Sequence, residues 1–180
     1  MRVSDLARAV GVSPSLVSQI ESGRSRPSVS SLFAIAEALQ VPVDAFFRTQ
    51  DEASAAAAEV VDHKPYTAES RFVVRQAKRA VIDIENGVRW ERLTPASLED
   101  VEFLELIYEP GAQSHPALYR HPGQEMILVT SGRLDIYVEF DRVQLQAGDS
   151  MHFPSMTPHR YVNSTDEPAH AVTTIFRDRA

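Results

Sequence analysis

Residues 4–23 read Ser-Asp-Leu-Ala-Arg-Ala-Val-Gly-Val-Ser-Pro-Ser-Leu-Val-Ser-Gln-Ile-Glu-Ser-Gly. Leu6, Ala7 and Val10 fall at the i, i+1, i+4 spacing of one buried helical stripe, and Leu16, Val17 and Ile20 repeat that spacing. Between the two stripes Gly11 supplies a turn and Ser13 is a good N-cap. Pro14 takes the first helical position, where its missing N–H costs nothing. The stretch therefore predicts two short helices joined by a tight turn.

Outward from this motif the composition narrows the options. At 180 residues the chain has room for one large domain or two small ones. The absence of cysteine excludes disulfides and thiolate metal sites. No apolar stretch approaches the ~20 residues of a membrane span, and residue 1 is not followed by a charged-then-apolar leader, which predicts a cytoplasmic protein. The formal charge of −7 is unevenly placed. Residues 1–48 carry Arg2, Arg8, Arg24, Arg26 and Arg48 against Asp5, Glu21, Glu37 and Asp44, so the acidity belongs to the remainder. The small N-terminal unit is left free to touch phosphates.

Residues 49–65 read as a linker, semi-rigid because of the alanines at 53 and 55–58. Beyond it the period changes. Short β-rich runs at 72–74, 81–84, 88–90, 101–108, 126–130, 134–140, 151–153, 161–162 and 171–176 are punctuated by turn residues such as Pro110-Gly111 and Gly148-Asp149. Many short strands at this spacing predict a sandwich or barrel. Phe103, Leu106, Ile127, Val129, Leu134, Ile136 and Val138 are read as core or interface positions, and Trp90, Tyr108, Tyr137 and Tyr161 as core aromatics.

Residues 2–47 resemble the helix-turn-helix head of the lambda-repressor-like (XRE) regulators. The likeness runs from the quoted motif through Arg24-Ser-Arg-Pro-Ser28 and the Leu-x-x-Ile-Ala-x-Ala-Leu helix at 32–39 to Val41-Pro42. Residues 111–132 and 148–163 are similar to the two motifs of the cupins. His121-Pro-Gly-Gln-Glu125 keeps the histidine-x3-glutamate spacing, Gly132 closes the first motif, and Gly148, Pro154, His159 and Asn163 mark the second. The usual glycine after that proline is Met156 here.

Together the resemblances imply an α+β two-domain chain. Residues 1–48 form an all-α DNA-binding head, 49–65 the linker, and 66–180 an all-β cupin barrel, or double-stranded β-helix, for effector binding and dimerisation. The XRE head normally begins with a basic amphipathic helix ahead of the segment that starts at Met1-Arg2-Val3, so the likeness implies either a start further upstream or a truncated head that lacks this helix. Its absence predicts exposure around Leu6, Leu39 and Phe46, and leaves Arg2 at an N-cap position that serine or threonine would fill better.

The DNA reading follows from helix geometry. If Leu16, Val17 and Ile20 face inward, Ser15, Ser18 and Gln19 face outward. Gln19 can both donate to and accept from adenine, while Arg24, Arg26 and Arg2 are placed for phosphates of a double-stranded operator. A two-fold pair of heads reads two half-sites, which predicts a homodimer.

The barrel is more ambiguous. Metal-binding cupins present two histidines, a glutamate and a further histidine; this chain offers His121, Glu125 and His159, with Tyr119 at the first position. Two imidazoles and a carboxylate suit a divalent Fe, Zn, Ni or Mn ion. The alternative is that these groups bond to one another as the wall of a small-molecule pocket. The overall reading is a transcriptional regulator, not an enzyme. The competing reading is a non-haem iron oxygenase or epoxidase with an accessory helix-turn-helix. His152 is left open between pocket and surface, and His63 and His170 are expected to be solvated.

Overall fold

The computed structural model describes residues 1–47, 71–98 and 100–177. The linker and His63 lie outside them. Three helices come first: α1 (Val3–Val10), α2 (Pro14–Glu21) and α3 (Val29–Leu39), then a 3-10 turn at Val43–Phe46. Gly11 ends α1 with φ 75°, a backbone conformation that a side chain would disfavour, and its N–H donates to the Ala7 carbonyl. Ser13 Oγ accepts from the Leu16 N–H at 3.2 Å, as a capping serine should. Ser28 caps α3 in the same way, so this helix starts three residues earlier than its apolar repeat suggests.

Nine strands follow: β1 (Val81–Asp83), β2 (Val88–Arg92), β3 (Val101–Tyr108), β4 (Gln124–Ser131), β5 (Arg133–Val138), β6 (Asp141–Gln146), β7 (Ser150–Pro154), β8 (His159–Val162) and β9 (Ala169–Phe176). They form a six-stranded sheet, β1-β2-β3-β9-β4-β7, and a three-stranded sheet, β6-β5-β8. Every pairing is antiparallel. Phe72-Val73-Val74 is a correction to the sequence reading: it forms no strand, and Phe72 is exposed because no neighbouring strand covers it. β6 was not expected, since Arg142, Val143 and Gln144 leave one apolar side chain, Leu145, buried along its length.

Leu106, Ile127, Val129, Leu134 and Ile136 are buried, and Val138 packs partly buried against them. Phe103 lies on the exposed side of the larger sheet, near Met126, Leu128 and Phe176 on the paired strands. His170 is also corrected: it is half-buried, with Nδ1 3.0 Å from Glu105 Oε1, instead of solvated. Met156 costs the turn little, because its φ is not positive and its side chain is exposed.

The head does not stand apart from the barrel. Leu6, Ala7, Val17 and Ile35 form a small core of their own. Val29, Leu32, Phe33 and Ala36, on the other side of α3, join Val43 and Phe47 in the barrel's core. Polar contacts fasten the seam. Arg92 Nη1 donates to the buried Asp44 carboxylate at 2.8 Å, and the Glu85 N–H donates to the Pro27 carbonyl at 3.1 Å. Leu6, Leu39 and Phe46 line an apolar groove of about 540 Å³ with Val81 and Ile82; of the three expected to be exposed, Leu39 is, Phe46 is half-buried and Leu6 is buried in the head's own core.

Asn163 ties the barrel end together. Its Nδ2 donates to the carbonyls of Tyr108 (2.9 Å) and Glu167 (2.8 Å), while Oδ1 accepts from the N–H and hydroxyl of Thr165. Asn163→Asp cannot make the two donations and places a charge on a buried site. We expect chemical denaturation to show a loss of about 2–4 kcal/mol, and unchanged stability would remove Asn163 from this role.

Candidate functional site

Three side chains from distant parts of the chain meet inside the barrel. Gly123 makes the approach of two of them feasible. A Cβ there would lie 2.3 Å from the Phe176 carbonyl oxygen, and its φ of 121° is one that side chains rarely adopt. The glycine lets the chain swing from His121 into β4 against β9, bringing Glu125 to the inside. His159 opens β8 and is paired by backbone hydrogen bonds with Tyr119. His121, Glu125 and His159 are all buried, with one ligand atom of each within 4.8 Å of the others. Glu125 Oε2 is 3.4 Å from His121 Nε2 and 3.6 Å from His159 Nε2.

The hydrogen bonds around the trio define what it can do. His159 Nδ1 lies 2.8 Å from the Thr157 carbonyl and His121 Nδ1 lies 3.3 Å from that of Pro122. A carbonyl only accepts, so each Nδ1 carries the proton, and in the neutral ring Nε2 presents a lone pair. On the other flank Glu125 Oε1 accepts from Tyr161 Oη at 2.6 Å and from Thr173 Oγ1 at 3.2 Å. Glu125 Oε2 and His159 Nε2 are buried with no hydrogen-bond partner. With both rings neutral in this tautomer, the two Nε2 atoms and Glu125 Oε2 are three acceptors facing one centre.

The electrostatics of Glu125 depends on the protonation of its neighbours: a protonated His121 donates to the carboxylate from Nε2. Burial pushes Glu125 upward, but the hydrogen bond and charge of His121, then His159 and Tyr161, outweigh it and hold the carboxyl below its ordinary range. Burial lowers His159, and the Glu125 charge offsets this only in part, so the ring favours its neutral form. Burial raises Tyr161, which keeps its hydroxyl a donor. Orphaned acceptors with their far sides fixed by carbonyls and hydroxyls match the orienting shell of a metal site. These residues fit a divalent cation, which His121 Nε2, His159 Nε2 and Glu125 Oε2 would hold.

Tyr119 lies beside the trio, its ring centroid 4.6 Å from that of His159. Phe153 packs against His159 from β7 at 4.9 Å. His152 faces outward, with Nε2 3.1 Å from Gln124 Oε1, which resolves its place as surface. Sequence reasoning did not single out Thr173 or Phe33. Phe33 lies face to face with His121 at 3.9 Å and 5° between planes. One signal for it was available: α3 is apolar around most of its circumference, which a helix packed on one side does not need.

At the other end, Ser15, Ser18, Gln19, Arg24 and Arg2 are all exposed, and Gln19 Nε2 is 3.4 Å from Ser15 Oγ. Val17 is buried while Leu16 and Ile20 are half-buried, so α2 turns its polar side outward. Arg26 is less free than the others, because Nη2 lies 3.7 Å from Asp83 of the barrel.

Glu125→Gln tests whether the trio serves a ligand or the fold. The amide still accepts from Tyr161 and can donate to a histidine Nε2, removing the conflict among acceptors. We expect the metal-free variant to melt at or above the parent temperature while zinc affinity, measured by competition with a chelating dye, falls more than about tenfold. Parent zinc affinity should also fall as pH drops, because protons compete for the imidazoles. His159 joins that competition only below the ordinary value of 6.5, since its folded value is lowered.

Comparison with known proteins places both halves. Residues 104–175 match the model of the cupin domain, and residues 1–46 match a helix-turn-helix model. The HTH-type transcriptional regulator SutR of Escherichia coli (strain K12) is 23% identical over 188 residues, covering 99% of this chain and 88% of that protein. A transcriptional regulator in the ATPase CF(0) region of Rhodospirillum rubrum is 52% identical over 42 residues, covering 23% of this chain and 39% of its own. Among solved structures, an HTH_3 family transcriptional regulator from Vibrio cholerae superposes with a TM-score of 0.63 at 22% identity, covering 99% of this chain and 88% of that one. Residues 1–46 thus carry a helix-turn-helix and residues 104–175 a cupin domain, and over nearly its whole length the chain is similar to proteins named as transcriptional regulators.

Proposed function

We propose that the protein is a sequence-specific DNA-binding regulator of transcription whose cupin barrel senses a small molecule or a metal ion. The observation that carries this reading is the polar face of α2: Ser15, Ser18 and Gln19 stand exposed on a helix whose opposite face is packed. A helix presented this way can enter a major groove, with Gln19 reading a base and Arg2, Arg24 and Arg26 meeting phosphates. A phosphate would replace Asp83 as the partner of Arg26.

In this reading the barrel holds the effector through His121, Glu125 and His159, with Tyr119 alongside. A bound divalent ion would supply a positive centre that attracts an anionic or carbonyl-bearing ligand. The pair of heads that an operator with two half-sites requires comes from a homodimer. Its support is the apolar patch of Phe103, Met126, Leu128 and Phe176 on the outer face of the larger sheet. Among the described residues no helix is long and apolar enough to cross a membrane.

The same trio favours a second reading, a metal-dependent enzyme. Oxygen consumption by iron-loaded protein offered small organic acids separates the two.

Selection of bound sequences from random DNA tests the regulator directly. Gln19→Ala is expected to relax the preference at one base position, a discrimination of ~1–3 kcal/mol. Arg24→Ala should weaken binding to all sequences alike. If Gln19→Ala preserves every base preference, α2 does not read DNA in the manner described.

A further inference from the structure

α3 belongs to the helix-turn-helix, yet it covers the opening of the barrel. The Phe33 ring lies flat on His121 and edge-on to Trp90, with centroids 3.9 Å and 5.8 Å away. Phe33 is 8% exposed and Trp90 3%, so this contact is a closed wall and not a surface touch. Beside it lies a cavity of about 220 Å³. Ser30, Phe33 and Glu37 line it from α3, and Tyr119, Arg120 and Arg177 from the barrel. His121 therefore has one ring nitrogen in the trio, while its face forms part of the wall shared with the head.

We propose that the barrel's ligand site is built from both domains: α3 supplies its outer wall, with Phe33 as the plug, and a ligand larger than an ion reaches the trio by lifting α3 from the mouth. The proposal rests on the reading of His121, Glu125 and His159 as a ligand-binding trio. Ligand entry and head docking then exclude one another. The fastenings that yield include the Arg92–Asp44 pair, the Val29–Ser114 and Glu85–Pro27 backbone bonds and the contact between Arg26 and Asp83. α3 follows α2 through residues 22–28, the segment that carries Arg24 and Arg26. Lifting α3 therefore moves the DNA-reading helix and frees Arg26 in one event. Because α3 closes again over the ligand as its wall, whatever holds the head in its docked position slows both entry and release.

The experiment uses the full chain loaded with cobalt(II), with EDTA as the probe that must reach the ion. Loss of the cobalt absorption follows its removal, and Trp90, the single tryptophan, reports the seam by its emission. Phe33→Ala and Asp44→Asn are expected to lose cobalt about tenfold faster than the parent, with emission shifted to the red, because both raise the population of the open state. Asp44→Asn is remote from the trio and spares α3 itself, so it answers for Phe33→Ala should that variant unfold. Phe140→Ser, on an exposed turn, should match the parent in both readouts. If all variants hold cobalt and lose it at the parent rate, the two-domain wall is overturned and the trio reading survives. If none holds cobalt, the trio reading falls as a metal site, and diethyl pyrocarbonate labelling of His121 decides the wall. Labelling about tenfold faster in Asp44→Asn than in the parent upholds it, and equal labelling overturns it.

Discussion

α3 has two apolar sides, and the arrangement of the molecule depends on burying both. Ile35 completes the small core of α1 and α2, while Val29, Leu32, Phe33 and Ala36 enter the barrel. A head of fewer than 50 residues gains little from burial on its own. Shared with the barrel, α3 adds to a core that already exists. The arrangement also puts an aromatic ring on the face of a histidine in the candidate site, so one helix stabilises the head and shapes the pocket.

The trio at the centre works against the fold in an informative way. A buried carboxylate oxygen facing imidazole lone pairs is costly, and the surrounding bonds from Tyr161, Thr157 and Thr173 hold that conflict in place without relieving it. Asp135 offers the contrast. It too is buried, but Arg142, Gln144 and Ser164 all donate to it, and these partners keep its carboxyl below the ordinary range despite its burial. One buried acid is satisfied as a structural element should be. The other is arranged to accept something further.

Much of this was legible in the sequence because local rules decided it. The Gly11 turn, the Ser13 cap and Pro14 set the helix boundaries with little tertiary help, whereas β3 alternates with Glu102 inside and Phe103 outside, against what those residue types suggest. His121, Glu125 and His159 were located by the likeness of their segments to the two cupin motifs, not by a local rule. Elements that depend on distant partners were harder to see. β6 has few buried side chains and exists through its pairing with β5, so its pattern carried little signal. His170 reads as a surface residue until β9 lies beside β3 and brings Glu105 within reach. Phe33 was harder to see for a related reason: the apolar circumference of α3 signals a second buried face, but only the tertiary fold says that the barrel covers it.

The pair between Arg26 and Asp83 has a consequence for how the protein would respond to salt. An arginine taken from solvent to a phosphate displaces a condensed cation from DNA, and each such release steepens the dependence of affinity on ionic strength. Arg26 already has an anion, so its move to a phosphate exchanges one counter-charge for another. Dissolved salt screens both partners, the carboxylate in the docked form and the phosphate in the complex. In the proposed complex with DNA that side chain would add less to the salt sensitivity than Arg24 or Arg2, whose side chains are exposed.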